Sequence, residues 1–357
     1  MYLFTTFVLS FLAALENFTK KEYNKQFLWF LCFVFFIFHD GCRNEIGTDW
    51  KAYSDFFQVC LDPIPNNYDI GYIGLNQLVR LLTDSYSVFL ILFAMLQYTF
   101  IFKSITKYSI LPFLSLFLYY CTTLPVLGMN RQFIALCLCL FAIRYIVSRD
   151  LKIFSICILI GFFFHKSVII FFPAYFLYKY YKRKYYILLL LFVIAVSLSG
   201  IINNLPLSYF ALLGGDTADK MNFYADDFLV GNVSVSFVNS VLAIFKRSVW
   251  VFLLLFCFKM VKRKNAYYEV LFNIYYVSLL LYILFNNTIL QIIVGRGLIY
   301  YNIAEIFIIP FVLTLIKDNW GKVLFFVLII LYGYTNMNKG LNYYPEAFFP
   351  YRNIFLP

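Results

Sequence analysis

Arg43, Asp49, Arg131, His165, Lys166 and Arg296 are the side chains with most scope for chemistry in this chain. A guanidinium is planar and permanently charged, and its forked N–H donors match the oxygens of a phosphate. Arg43, Arg131 and Arg296 are therefore candidates to hold a phosphate or diphosphate, with Lys166 as an added point charge. Asp49 or His165 could take a proton from an attacking hydroxyl. Each has a commonplace alternative. A lone Arg or Lys at a helix end often snorkels to a membrane interface, Asp49 after Gly47 suits an Asx turn or a helix cap, and His165 suits a hydrogen-bonded turn. No zinc spacing, phosphate loop, dinucleotide fingerprint or nucleophile elbow is present. His39 and His165 stand far apart, so neither a metal nor a cofactor is expected.

The elements that must position these groups are membrane helices. Hydrophobic residues make up 63% of the 357, aromatics 22% and charged residues only 13%, a balance no soluble globular domain has. Apolar runs separated by short basic or Gly/Pro/Asn breaks cross a bilayer as helices that satisfy their own backbone. The expected fold is an all-α polytopic membrane protein, one integral domain over 1–357. About twelve spans (ten to twelve) are expected, near 1–16, 26–39, 86–102, 109–127, 131–147, 152–165, 167–179, 186–202, 241–258, 268–290, 297–316 and 321–336. Residues 1–15 read as the first span rather than a cleavable leader, for want of a basic start and a small-residue cleavage site.

Charge orients the bundle. Alternate loops, such as those with Lys20, Lys21 and Lys25 or with Lys179, Lys182, Arg183 and Lys184, gather 18 of the 29 basic residues on one side. By the positive-inside rule that side is cytoplasmic, and the net charge of +11 reflects topology rather than nucleic-acid binding. The six reactive candidates then share the other face. Basic clusters flank residues 152–179 at both ends, which predicts a hairpin of two short arms turning at His165. Arms of about 14 residues rise only about 21 Å, so His165 and Lys166 would sit recessed, where a polar group is costly. Arg131 and Arg296 each begin a helix on this face, where a positive charge opposes the macrodipole and favours an anionic partner.

Two segments on the same face, about 40–85 and 203–240, are too long to be turns. The first has the makings of an interfacial amphipathic helix with Phe56 and Phe57 inward. The second, with Gly214, Gly215, Asp216, Asp219, Asp226 and Asp227, reads as a loop over the substrate. Cys32, Cys121, Cys137, Cys139, Cys157 and Cys257 lie in apolar stretches and read as core residues, whereas Cys42 and Cys60 share the outer segment, where a disulfide is open to them. Glu305 lies inside a span and needs a partner, most simply a structural hydrogen bond.

Taken together, the run from Arg43 through Gly47, Thr48 and Asp49 to Tyr53, then Asp69 to Tyr72, Arg131 to Ala135, Phe164-His165 with Ser167, Arg296, and Pro350-Tyr351-Arg352 resembles the EpsG-like branch of Wzy-type O-antigen and exopolysaccharide polymerases. The resemblance spans nearly the whole chain in order, with Asp69 where the family often has Glu. It implies a glycosyltransferase of GT-C-like architecture in the bacterial cytoplasmic (inner) membrane. Such an enzyme joins polyprenyl-diphosphate-linked glycan repeat units at the periplasmic face. Arg43, Arg131, Arg296 and Lys166 would bind diphosphate, His165 or Asp49 would act as base, and Trp50, Tyr53, Asp69 and Tyr72 would contact sugar. Membrane lipid is the medium, and a chain-length regulator and a flippase are further candidate partners. Alternatives are a lipid-linked oligosaccharide flippase, which should carry charge along a midplane path, an O-antigen ligase with the same physics, and a non-catalytic scaffold.

Overall fold

The computed structural model describes residues 1–19, 24–63, 68–204, 235–261 and 266–355. Most of the expected loop at 203–240, with Gly214, Gly215, Asp216, Asp219, Asp226 and Asp227, lies outside the described residues. Each of the twelve expected stretches is helical. Tyr86–Tyr108, Asn130–Val147, Phe237–Cys257, Ala266–Phe285 and Asn319–Leu341 are long and apolar enough to cross a membrane, and shorter apolar helices cover Tyr2–Phe18, Pro112–Val126, Leu151–Phe164, Lys166–Phe176 and Ile299–Leu315. By its contacts the chain divides into two compact units, residues 1–144 with 152–169 and 309–357, and residues 145–151 with 170–308.

The first unit holds α1 (Tyr2–Phe18), α2 (Lys25–Gly41), α3 (Trp50–Val59), α4 (Ile70–Arg80), α5 (Tyr86–Tyr108), α6 (Pro112–Thr123), most of α7 (Asn130–Val147) and α8 (Leu151–Phe164), and α14 (Asn319–Leu341). Local chemistry starts these helices where the sequence places polar or Pro residues. Asn24 accepts from the Phe27 amide at 2.9 Å and Asp318 from the Gly321 amide at 2.5 Å, each satisfying an amide that a helix start leaves open. Pro112 occupies the first turn of α6, where its missing N–H costs nothing.

The two ends of this unit differ in charge. At the basic end Glu16 pairs with Lys25 and accepts the Phe113 amide at 2.9 Å. At the opposite end both chain termini meet the segment after α2. The Tyr2 hydroxyl donates to the Phe348 carbonyl, Arg43 and Asn353 form an antiparallel bridge, and the Ile354 amide donates to the Cys42 carbonyl at 2.9 Å. Gly47, at φ +105°, lies against Leu127 and Gly128, itself at φ +110°. A side chain on Gly47 would meet the Leu127 carbonyl oxygen at 2.6 Å, so both the conformation and the contact require glycine.

α3 and α4 lie within the expected segment 40–85, with Phe56 and Phe57 buried against Tyr72, Tyr86 and Phe89. Cys42 and Cys60 are buried free thiols, not a disulfide. The helix cysteines are buried too, except the half-buried Cys257.

The chain reverses at His165. On one side of the turn a methyl group on Gly161 would meet Val168 at 3.2 Å. At the far ends of the arms Arg149 donates to the Tyr175 carbonyl at 2.8 Å and the Tyr175 hydroxyl donates to the Arg149 carbonyl at 2.9 Å. The returning arm, Lys166–Phe176, is a 3-10 helix rather than a second α-helix. Its steeper rise gives eleven residues about 22 Å, the same reach as the roughly 21 Å of the fourteen residues in α8.

The second unit holds α9 (Arg183–Leu198), α10 (Phe237–Val261), α11 (Ala266–Phe285), a π turn at Ile293–Gly297 and α12 (Ile299–Asn302), with α13 (Glu305–Leu315) continuing into the first unit. Buried Asn273 of α11 donates to the carbonyls of Leu177 and Lys179, both at 2.8 Å, and accepts from the Tyr186 hydroxyl at 2.5 Å. One amide thus ties the end of the returning arm and α9 to α11.

Candidate functional site

Arg131 is the second residue of α7, as its place at the head of an apolar run predicts. Its Nη1 donates to the Asp69 carboxylate at 2.9 Å and its Nε to the Tyr53 hydroxyl at 3.2 Å, while the guanidinium lies 4.9 Å from the centre of the Tyr68 ring. Asp69 stands at the cap position of α4 but makes no capping bond with its side chain. Its carboxylate serves Arg131 instead. Burial pushes the Tyr53 hydroxyl above its ordinary pKa, more than the neighbouring Arg131 lowers it, so the phenol keeps its proton.

Small residues bring His165 to the same level. Gly161 of α8 faces Ala135 of α7, whose Cα would lie 3.8 Å from a methyl placed on the glycine. The two helices run antiparallel through the turn at Arg149, so Arg131, four residues before Ala135, and His165, four residues after Gly161, both lie one turn, about 6 Å, beyond that contact. α4 closes the group: Gly71 rests on the Phe163 carbonyl, where a methyl would come within 2.8 Å. The starts of α4 and α7 and the end of α8 thereby converge.

His165 is half-buried, and its Nδ1 lies 2.6 Å from the Ser167 hydroxyl and 3.4 Å from the Ser167 amide. The amide can only donate, so Nδ1 is the acceptor and the neutral ring carries its proton on Nε2. Lys166 beside it is exposed. Asp49 precedes α3 and makes no capping bond with its side chain, so the expected cap role is not used, and its charge acts on Tyr53 and Tyr68.

Other expected site residues turn inward. Arg43 is 3% exposed, with Nη1 on the Asp40 carbonyl and Nη2 on the Asn130 side-chain oxygen, both at 2.8 Å. It pins the head of α7 from behind and does not present its guanidinium at the surface as expected. Its backbone is trapped beneath the C-terminal segment. Tyr72 is fully buried against Tyr53, Phe56 and Phe89, so its ring is core and not a sugar platform. Tyr53 is also buried and contributes its hydroxyl rather than a ring face. Trp50 is half-buried, edge-on to Tyr86 at 5.6 Å. His39 belongs to a buried network in which its Nδ1 meets Asp40 at 2.7 Å and the Tyr98 hydroxyl donates to the same carboxylate at 2.5 Å.

In the second unit, Arg296 lies in the π turn before α12, a local underwinding frequent at functional sites. The next residue, Gly297, packs on Ile170, and the Tyr301 hydroxyl donates to the Ile170 carbonyl at 2.7 Å. Glu305 is buried, 3.4 Å from Lys246 and 3.2 Å from the Tyr275 hydroxyl, which is the structural pairing expected. Its cation was not anticipated. Lys246 and Arg247 lie inside α10, where Arg247 donates to Asn302 at 3.2 Å and covers the Tyr282 ring at 4.3 Å. Two adjacent cations within an apolar run were the available signal. Tyr68 and Asn130 left no comparable trace, because each matters only through a tertiary contact.

A multi-pass membrane protein, helical in its described residues, with an arginine-centred cluster where the starts of α4 and α7 meet the end of α8, is what this fold and site define. The EpsG family matches residues 2–353, and the chain belongs to that family. No curated protein and no solved structure matches it.

Proposed function

We propose that this protein is a polysaccharide polymerase of the inner membrane. It would span the bilayer about twelve times with GT-C-like architecture and join polyprenyl-diphosphate-linked oligosaccharide repeat units at the periplasmic face, in O-antigen or exopolysaccharide synthesis. Membership of the EpsG family suggests the class. The observation that carries the site is Arg131 held by Asp69 and Tyr53 one turn beyond the Ala135–Gly161 contact, level with His165.

In this reading a hydroxyl of the acceptor sugar attacks the anomeric carbon of the donor. The bond from that carbon to the diphosphate oxygen breaks, and the diphosphate leaves with the electron pair. Arg131 and Lys166 offset the charge that develops on it, and Arg296 is a separate candidate for holding lipid diphosphate. Asp49 takes the hydroxyl proton and His165 donates from Nε2 to sugar or phosphate. Arg43 acts through Asn130 to fix the start of α7, and Trp50 and Tyr68 flank the sugar.

The test is the glycan profile of a deletion strain, followed by purified protein with lipid-linked repeat units. Single repeat units on lipid A, and polymer made in vitro, are expected. Complete absence of the surface glycan would point to a ligase or flippase and overturn the proposal.

A further inference from the structure

At the basic end of the first unit an open cleft of about 370 Å³ lies between α2, α5 and α7, lined by Trp29, Phe102, Lys103, Thr106, Lys107 and Arg144. Three of the six are cations and none is an acid. The rings of Trp29 and Phe102 meet at 4.6 Å and form an apolar wall. Arg144 stacks on Phe141 at 3.9 Å and gives its Nε to the Phe141 carbonyl at 3.1 Å. Those contacts use one edge of the guanidinium. Its Nη2 is buried and without a hydrogen-bond partner among the described residues.

Cations at the last turns of α5 and α7 are favourable to the helix dipoles in any case, but that does not account for a buried guanidinium nitrogen left without a partner among the described residues. A forked donor, further cations and a greasy wall suit a phosphate carried on hydrocarbon. α2 adds Phe27, Phe30 and Leu31, all exposed, as a surface for acyl chains. We propose that this cleft is a binding site for the head group of an anionic phospholipid of the leaflet on the basic side, with phosphate on Arg144, Lys103 and Lys107 and the glycerol backbone against Trp29 and Phe102. It stands apart from the Arg131 cluster: thirteen residues of α7, about 20 Å, separate the two arginines. The proposal rests on the fold and on charge, not on the polymerase reading.

The experiment uses the full chain in nanodiscs of phosphatidylcholine alone or mixed with phosphatidylglycerol, with retained lipid counted by native mass spectrometry. Wild type should retain phosphatidylglycerol preferentially. Each cation lost should weaken retention about fivefold, and the Lys103→Gln, Arg144→Gln pair about 25-fold. Thr106→Trp, at an exposed position, fills the cleft and keeps every charge, so it should abolish the preference while leaving bulk electrostatics unchanged. Equal retention of the two lipids by wild type, a preference that survives Thr106→Trp, or displacement of lipid by millimolar inorganic phosphate would each overturn the proposal.

Discussion

Gly71→Ala tests whether the position of α4, rather than any reactive group, sets activity. A methyl there would lie 2.8 Å from the Phe163 carbonyl oxygen and 3.0 Å from its carbon, against an ordinary contact distance that begins at 3.4 Å. The gap from 2.8 to 3.4 Å means α4 and α8 must part by about 0.6 Å, and both obstructing atoms are backbone with no rotamer to yield. Overpacking of this kind costs about 1–3 kcal/mol, and the displacement passes directly to Asp69, two residues away. If a 1 Å misplacement costs about a hundredfold in rate, 0.6 Å should cost on the order of tenfold. Gly74→Ala is the control, one turn along on the same helix with nothing within 4 Å of its added methyl. There alanine should gain up to about 1 kcal/mol of helix propensity and leave activity intact. Polymer length and yield from purified, monodisperse protein with lipid-linked repeat units, at matched protein level, is the measurement. Equal activity in the two variants would refute the argument that α4 positions Asp69 and, through it, Arg131.

Arg131→Lys keeps the charge but cannot hold Asp69 and Tyr53 together or lie flat over Tyr68, so polymer yield should fall more than about tenfold at normal protein level; Arg296→Lys should behave likewise, and full-length polymer from both would reduce them to anchors. Asp49→Asn should abolish turnover, whereas His165→Gln, whose amide can still donate, should retain a few per cent; the reverse order in a single-turnover assay would return the base to His165. Alkaline phosphatase fused after Leu127 should be active in the periplasm and inactive when fused after Arg183, and the opposite pattern would invert the orientation of the whole site.

What could be read from the sequence was what depends on one stretch of chain at a time. Apolar runs marked the helices, and the basic clusters on both sides of 152–179 required the reversal at His165. The head of α7 was visible because Arg131 directly precedes an unbroken apolar run. What could not be read was partnership across distance. Asp69 looked like one more acid in an outer segment until it met Arg131, 62 residues away. Arg43 looked exposed for the same reason, since its burial depends on the segment near Asn353 crossing above it. Lys246 and Arg247 were overlooked because a hydropathy average hides two charges in a long apolar run.

Ala135 and Gly161 show why the site needs that hidden layer. Neither has a polar atom to contribute, so a search for chemistry passes over both. Yet the approach of α7 to α8 is limited by whatever stands at their contact, and larger side chains there would push the helices toward an ordinary separation of 8–10 Å. Arg131 and His165 extend from the next turn of each helix, so the space between them is governed by two residues with no reactive side chain of their own. The same logic governs Gly71 on α4. Three small side chains, one on each converging helix, set how closely the polar groups above them can approach a shared substrate.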